Sequence, residues 1–467
     1  MTHKEILPMN NQPAPTNGFR TFLIIVIGQL LSMMGSGLTG YALGFWIYAE
    51  TGNATPFALV ALFSTLPRIL FAPLAGVLAD RFNRRRIMLF ADSVDAFITF
   101  VVAALLFTGR LEVWHIYVVA FSSAIFGAFQ QPAFQASITM LVRKEDLARA
   151  SSIQQMGQAI EMLLTPAIAG VLFSAVGLNG IILIDLLTYG FAVGALLLVR
   201  IPQPEYVPQN APGEKNSMWS DARFGWNYLR QRPGLFTLLW YFAAINFFLS
   251  LSGVLSTPLV LGFATPAAAG LVGTVGGAAM LISSIIMSSW GGPKHRKVPA
   301  LIFYIAIAGT GFALTGLLPQ VWLAALGRAW LLFFIPWASA LSQATFQTKV
   351  APEVQGRVFA IRGMIAQSIS PIAQGLAGPL ADGIFTPLLL PGGALAATWV
   401  GDLMGVGAGR GIGLIFVISS LAMWAMSALV YANPRVRNVE TELPDVLPDT
   451  PASAESLPAE AAPVPAS

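Results

Sequence analysis

The sequence predicts an all-α membrane protein of twelve transmembrane helices in two pseudo-symmetric six-helix bundles. Three observations carry this: composition, apolar spans and an internal repeat. Hydrophobic residues make up 55% of the chain and charged residues only 10%, against roughly 25% charged in a soluble domain, so too little charge remains to cover a water-facing surface. A helix needs about 20 apolar residues to cross a hydrocarbon core of about 30 Å, and the chain offers twelve such runs. The two halves also repeat. Leu141–Ile160 aligns with Lys349–Ser368, placing Glu145 on Glu353 (353 − 145 = 208), Arg149 on Arg357 and Met156 on Met364. At a spacing of 210 (265 − 55), Thr55-Pro56 falls on Thr265-Pro266, and Arg84–Arg86 falls on Lys294–Arg296.

The runs are Thr21–Ala49, Pro56–Ala79, Ile87–Thr108, Trp114–Val142, Arg149–Ala175 and Asn179–Val199, then Gly234–Gly262, Thr265–Trp290, Val298–Leu318, Val321–Gln347, Val358–Asp382 and Arg410–Tyr431. Lipid cannot satisfy backbone groups, so each is a helix or part of a closed barrel. Runs this long without period-2 alternation are helices. The first is too long for a signal-peptide core and lacks a cleavage site, so it is expected to be retained. The organisation is then a polar tail at 1–20, a first bundle at 21–200, a linker at 201–233, a second bundle at 234–432 and a tail at 433–467. Within the linker, "SMWSDARFGWNYLRQRPG" sets Trp219, Phe224 and Trp226 among basic residues, the pattern of an interfacial amphipathic helix. The final tail is Pro/Ala-rich and acidic after Arg437, and is expected to be unstructured.

Of the 26 Lys and Arg, 22 fall in the tails or in alternate loops, Arg110 and Arg410 fall in the opposite loops, and Arg68 and Arg328 lie within spans. Positive charge is retained on the cytoplasmic side, so both termini are expected there. That asymmetry explains the basic balance without any nucleic-acid partner. There is no cysteine, and the three histidines are scattered, which excludes disulfides, thiolate catalysis and a histidine metal set. No phosphate-binding G-x-x-x-x-G-K-[ST] loop occurs. The chain reads neither as an enzyme nor as a nucleotide-driven pump.

"GVLADRFNRRRIM", Gly76 to Met88, resembles the loop between the second and third helices of the major facilitator superfamily, G-x-L-A-D-R-x-G-R-R/K. Gly76, Leu78, Ala79, Asp80, Arg81, Arg84 and Arg85 match, and Asn83 stands in place of a glycine. "GAFQQPAFQASITMLVRKEDLARASS" and "WGGPKHRKVP" are similar to the branch containing macrolide and siderophore exporters. "EMLLTPAIAG" (Glu161–Gly170) is similar to the antiporter motif G-x-x-x-G-P-x-x-G-G, with Pro166 and Gly170 in place and Glu161, Thr165 and Ala169 where glycines are expected. The fourth helix lacks the membrane arginine that many proton antiporters carry, and Ser123 stands near its place. The resemblance implies the MFS fold in a bacterial cell membrane, a monomer, and a secondary active transporter drawing on the proton-motive force with no bound cofactor. Its partners would be a small-molecule substrate, protons and the lipid bilayer. It also implies a cytoplasmic latch between Asp80 and the start of the eleventh helix, near Gln355–Phe359. Asp92, about one helical turn into the third span, is within expected reach of Arg84 and Arg85.

Ionisable residues inside a membrane mark function by default. At a rise of about 1.5 Å per residue, Arg68 lies roughly 12 Å and Asp95 roughly 14 Å from the cytoplasmic boundary, which predicts an ion pair between neighbouring helices. Glu161 lies roughly 18 Å deep by the same rise, and Arg328 reaches a similar depth. Burial disfavours a charged carboxylate, so Glu161 is a candidate proton carrier. Asp185 reads as a local structural group near the outer face. Tyr41, Trp46 and Gln130, Gln131, Gln135, Gln154, Gln155 and Gln158 are candidate cavity residues, or equally interhelical glue. The expected function is proton-driven efflux of amphipathic drug-, macrolide- or siderophore-like molecules. The alternatives are an uptake symporter or lipid-type flippase on the same fold.

Overall fold

Residues 18–143, 146–199, 218–293 and 295–443 are described in the computed structural model. In the first half, α1 (Gly18–Thr51), α2 (Ala54–Arg81), α3 (Arg84–Phe107) and α4 (Val113–Leu141) are single helices. The next, α5 (Leu147–Leu198), holds the fifth and sixth spans, folded at Gly177, where φ is 66° and ψ is −172°. Glycine reaches that conformation without steric cost, and the fold falls between the predicted ends Ala175 and Asn179. The linker helix α6 (Met218–Arg230) precedes α7 (Pro233–Leu261), α8 (Pro266–Trp290), α9 (Lys297–Leu317) and α10 (Val321–Lys349). Then α11 (Pro352–Gly378) runs on through a π-helical segment, Pro379–Phe385, and α12 (Thr386–Leu389). A short α13 (Trp399–Met404) precedes α14 (Arg410–Ala432), α15 (Pro434–Arg437) and α16 (Val439–Glu442). Ten of these helices are long and apolar enough to cross a membrane. The folded α5 counts twice, and α11, too polar for that criterion, completes the set (10 + 1 + 1 = 12).

Local chemistry sets several ends. Asn83 caps α3 by accepting from the Arg86 N–H, so the residue replacing the signature glycine starts a helix. Thr265 caps α8 by accepting from Ala268 N–H, with Pro266 in the first turn, where its missing N–H costs nothing.

Helix α1 packs along α5, and α2 and α3 along α4. In the second half α8 and α9 lie against α10, α7 against α11, and α9 against α14. The halves meet mainly through α2 with α11 and α5 with α8, pairs that the repeat makes equivalent. Gly170 and Gly378, 208 residues apart, occupy matching positions in these crossings. A Cβ at Gly170 would lie 2.6 Å from the Pro266 carbonyl, and one at Gly378 would overlap Thr55. The contacts lie at the end of the bundle remote from the basic loops, here called the far end. Asp382 reinforces them from the second half. Its carboxylate accepts from Ala54 N–H at 3.0 Å, Thr55 N–H at 2.6 Å and the Thr55 hydroxyl at 2.6 Å, capping α2. Toward the basic end the repeat-related Met156 and Met364 are 58% and 56% exposed.

Three expectations change. The tail from Asn433 is not unstructured throughout: α15 and α16 bury Val436 and Val439, and the Glu440 carboxylate accepts from Val298 N–H at the start of α9 at 2.7 Å. Lys349, at the end of α10, donates to the carbonyls of Glu440 and Leu443. Two apolar residues one turn apart and a capping acid give this segment enough to hold. Residues 444–467 lie outside those described, as do 1–17 and the linker at 200–217. Second, Arg362, counted among the loop charges at 349–362 although the predicted span begins at Val358, lies within α11, which starts at Pro352 and carries it about 15 Å along the helix. Third, α6 is more than an interfacial helix. Leu229 is fully buried, a Cβ at Gly225 would touch the Arg357 carbonyl at 2.7 Å, and the Arg357 guanidinium stacks over Phe224 at 5.1 Å. Its repeat mate Arg149 stacks over Phe19 at 4.8 Å.

Candidate functional site

A cavity of about 370 Å³ lies against α1 and α5, lined by Met33, Tyr41, Gln158, Glu161, Met162, Thr165 and Pro166. Its wall follows from helical spacing on α5: Gln158, Glu161, Met162 and Thr165 share one face at intervals of three and four. Pro166 breaks the hydrogen-bond ladder there, and Gly37 on α1 lets the wall approach, with the Glu161 Oε1 3.2 Å from where its Cβ would stand. Glu161 is half-buried. The rest of the lining is apolar or neutral, so one acid faces a greasy chamber. Arg328 on α10 is not part of the lining; it lies over Gly276 of α8 and donates to the Ser252 hydroxyl on α7 at 3.3 Å. Tyr41 is within electrostatic range of both Arg328 and Glu161, a base of the second half and an acid of the first.

The remaining cavity candidates disperse. Trp46 packs beside the buried Phe45, Ile47 and Phe173 region instead of lining the cavity, because it lies too near the far end. Gln131, Gln135 and Gln155 are exposed and do not line it either. Gln130 belongs elsewhere: its amide donates to Asp92 Oδ1 at 2.6 Å and to Gln29 Oε1 at 3.1 Å, while Gln29 donates to Asp92 Oδ2 at 2.9 Å. Asp92 is thus bound by α1 and α4 and is almost wholly buried.

This corrects the expected link from Arg85 to Asp92. Arg85 turns the other way, donating to the Leu196 carbonyl at 2.7 Å and the Leu197 carbonyl at 3.0 Å. These are terminal carbonyls of α5, whose partial negative charge attracts a cation. The Gly76–Arg81 backbone completes α2; the side chains of Gly76, Asp80 and Arg81 lie outside those described, and so does the latch they would form. Gln355 donates to the carbonyls of Gln347 and Val350 at 2.9 Å each, binding α11 to α10 within its own half. Arg84 opens α3.

The ion pair expected between Arg68 and Asp95 does not form. Arg68 is exposed and reaches toward Gly127 on α4. Asp95 instead has the Ser123 hydroxyl beside it, and its Oδ1 is buried without a hydrogen-bond partner. Sequence reasoning also passed over Arg362, which donates to Ser342 and Gln343 at 2.9 and 3.0 Å, stacks over Phe346 at 4.6 Å, and lines a second cavity with Asn246 and Ser339. The repeat held the signal: 362 − 208 = 154, so Arg362 is the counterpart of Gln154, already placed within a span.

A family model described as Major Facilitator Superfamily matches residues 25–375. The chain belongs to the major facilitator superfamily. Macrolide efflux protein A of Streptococcus pyogenes is 31% identical over 379 residues, covering 78% of this chain and 90% of that one. Multidrug efflux pump Tap of Mycobacterium bovis is 26% identical over 382 residues, covering 77% and 86%. Among solved structures, a bacterial homologue of the human lysosomal transporter Spinster superposes with a TM-score of 0.65 at 14% identity, covering 90% of this chain and 97% of that one, a likeness of fold. The protein is a multi-pass MFS transporter of the bacterial cell membrane and not an enzyme. In an MFS bundle two halves rock about a site near the midplane, which is where Tyr41, Glu161 and Arg328 lie.

Proposed function

We propose that the chain exports amphipathic, macrolide-like molecules and is driven by proton entry. The carrying observation is the 370 Å³ cavity with Glu161 as its one acid. Its volume is within the roughly 300–1,000 Å³ typical of small-molecule sites, and its mixed apolar and amide wall suits a molecule with both kinds of surface. The distribution of basic loops supports a cytoplasmic placement of both termini, which puts the clamped far end outside and leaves the chamber to load from within. Glu161 carries the proton, and Tyr41 and Arg328 sense its charge as the halves rock. The names of the two efflux relatives support this direction and substrate class. A membrane potential contributes about 2.3 kcal/mol per charge per 100 mV, and at about 1.4 kcal/mol per decade one proton sustains roughly a 40-fold gradient.

Vesicles of both orientations test this. Everted vesicles with an acid interior should accumulate a labelled macrolide, and right-side-out vesicles with an acid exterior should lose it. Accumulation by right-side-out vesicles with an acid exterior would establish proton-symport uptake instead. Glu161→Gln keeps shape and hydrogen bonding but cannot ionise, so it should abolish pH-driven accumulation while downhill exchange persists. Unchanged pH-driven accumulation in that variant would remove Glu161 from the coupling.

A further inference from the structure

The second cavity, of about 120 Å³, lies within the second bundle, bounded by α7, α9, α10 and α11. Its body is apolar, with Leu239 and Ile305 buried in the wall. Its polar groups are Asn246, Ser339 and Arg362. Arg362 lies roughly 15 Å along α11 from Pro352, and Ser339 roughly 15 Å back along α10 from Lys349. Asn246 lies roughly 20 Å along α7 from Pro233. Those three helix ends are all at the basic side, so the polar groups meet near mid-membrane. Ser339 is exposed, and the chamber is open on its side.

The repeat explains the space. Helices α4 and α10 correspond at a spacing of 208 (321 − 113 and 349 − 141), which sets Ala338 on Gln130. In the first bundle the Gln130 amide reaches Asp92 and Gln29. Ala338 is just as much an inner position, at 2% exposure, but its side chain stops at a methyl group. The same spacing sets Arg362 on Gln154. One half fills its interior with an amide–acid network; the other keeps a chamber and a base.

That base lacks a counter-ion. Arg362 gives N–H groups to Ser342 and Gln343 and stacks over Phe346 at 4.6 Å and Phe242 at 5.8 Å, all of them neutral. No acid lines the chamber, and among the described residues no carboxylate is within electrostatic range of Arg362. A charge at this depth is expensive unless it is paired. The missing partner is an anion.

We propose that Arg362, Asn246 and Ser339 form a binding site for a small monocarboxylate with a compact apolar body. The guanidinium fork matches the two oxygens of a carboxylate. Asn246 gives one amide hydrogen to the Phe242 carbonyl at 3.0 Å, which leaves its second, and the Ser339 hydroxyl is a further donor. An apolar cavity of roughly 150 Å³ accepts benzene, so this one suits an aryl ring or a short branched chain with its head at Arg362. Every wall belongs to one half. Occupancy therefore depends neither on the rocking of the halves nor on the direction and driving ion of transport.

The probe is radiolabelled benzoate, bound at neutral pH to the full chain in phosphatidylcholine nanodiscs. Saturable binding is expected. Benzyl alcohol has the same ring without the charge, and chloride the charge without the ring, so neither should compete well. Arg362→Gln should weaken binding about tenfold or more, since hydrogen bonds to a charged group are lost. Ala338→Leu fills the chamber and should abolish binding with the charge intact, whereas Glu161→Gln, in the other cavity, should leave binding unchanged. Should Arg362→Gln not fold, Ala338→Leu and Arg362→Lys, which keeps the charge but loses the fork, carry the test. Binding indifferent to the Arg362 variants and to Ala338→Leu would overturn the site, and so would binding lost in Glu161→Gln. Equal competition by chloride would overturn the carboxylate assignment.

Discussion

Asp92 shows how a membrane bundle fixes one residue. Its oxygens take one amide hydrogen from α1 and one from α4, so three helices share a single buried carboxyl group. In Gln130→Leu the Asp92 Oδ1 and the Gln29 carbonyl oxygen both lose a donor, at a cost of roughly 1–3 kcal/mol for a buried group left unpaired. The variant should unfold at a lower temperature in detergent while Gln131→Leu, an exposed neighbour, should not. Equal midpoints would show that the network adds no stability. The sequence marked Gln130 as polar and inside a span, and no more. Period and depth are properties of one helix; whether an amide meets substrate or a carboxylate depends on the facing helix, which one-dimensional spacing does not encode. The same reason undid the pairing of Arg68 with Asp95, where depth matched and direction did not.

Between elements, the crossings of α2 with α11 and α5 with α8 control the far end. Gly378 meets Thr55 with no room for a side chain, so Gly378→Leu should force the far end apart. The chain contains no cysteine, so a single Ala58→Cys, buried at 1% exposure in the same interface, reports opening directly. Labelling by a membrane-impermeant maleimide should be faster in the Gly378→Leu background, and an unchanged rate would place the far-end seal elsewhere. The tail is a second element-scale device. Truncation after Ala432 leaves Lys349, only 5% exposed, without the Glu440 and Leu443 carbonyls, and α9 without its capping acid. Hydrogen bonds to a charged group contribute about 1.5–3 kcal/mol, so the truncated protein should lose thermal stability beyond that lost by truncation after Leu443. The sequence hid this because α15 and α16 are each four residues long, too short for any period to register.

For the whole molecule, orientation is the outstanding proposal. Single cysteines at Thr441, on the basic end, and at Gly392, on the far end, should label only from inside and only from outside respectively in intact cells. The reverse pattern would invert every directional statement made for transport. The span count, the break at Gly177, the twofold repeat and the superfamily were all determined by the sequence alone. Each rests on a local quantity: a hydrocarbon thickness of about 30 Å that sets helix length, a backbone that lipid obliges to close on itself, or residue identity at a fixed spacing. Tertiary structure alone decided that Asp382 clamps α2 across the halves, that Arg85 holds α5 and not Asp92, and that Glu161 faces the cavity while Trp46 does not. Those outcomes depend on the rotation of each helix about its own axis. Rotation is set by many weak contacts with neighbours distant in sequence, because lipid, as apolar as the side chains themselves, favours no one face.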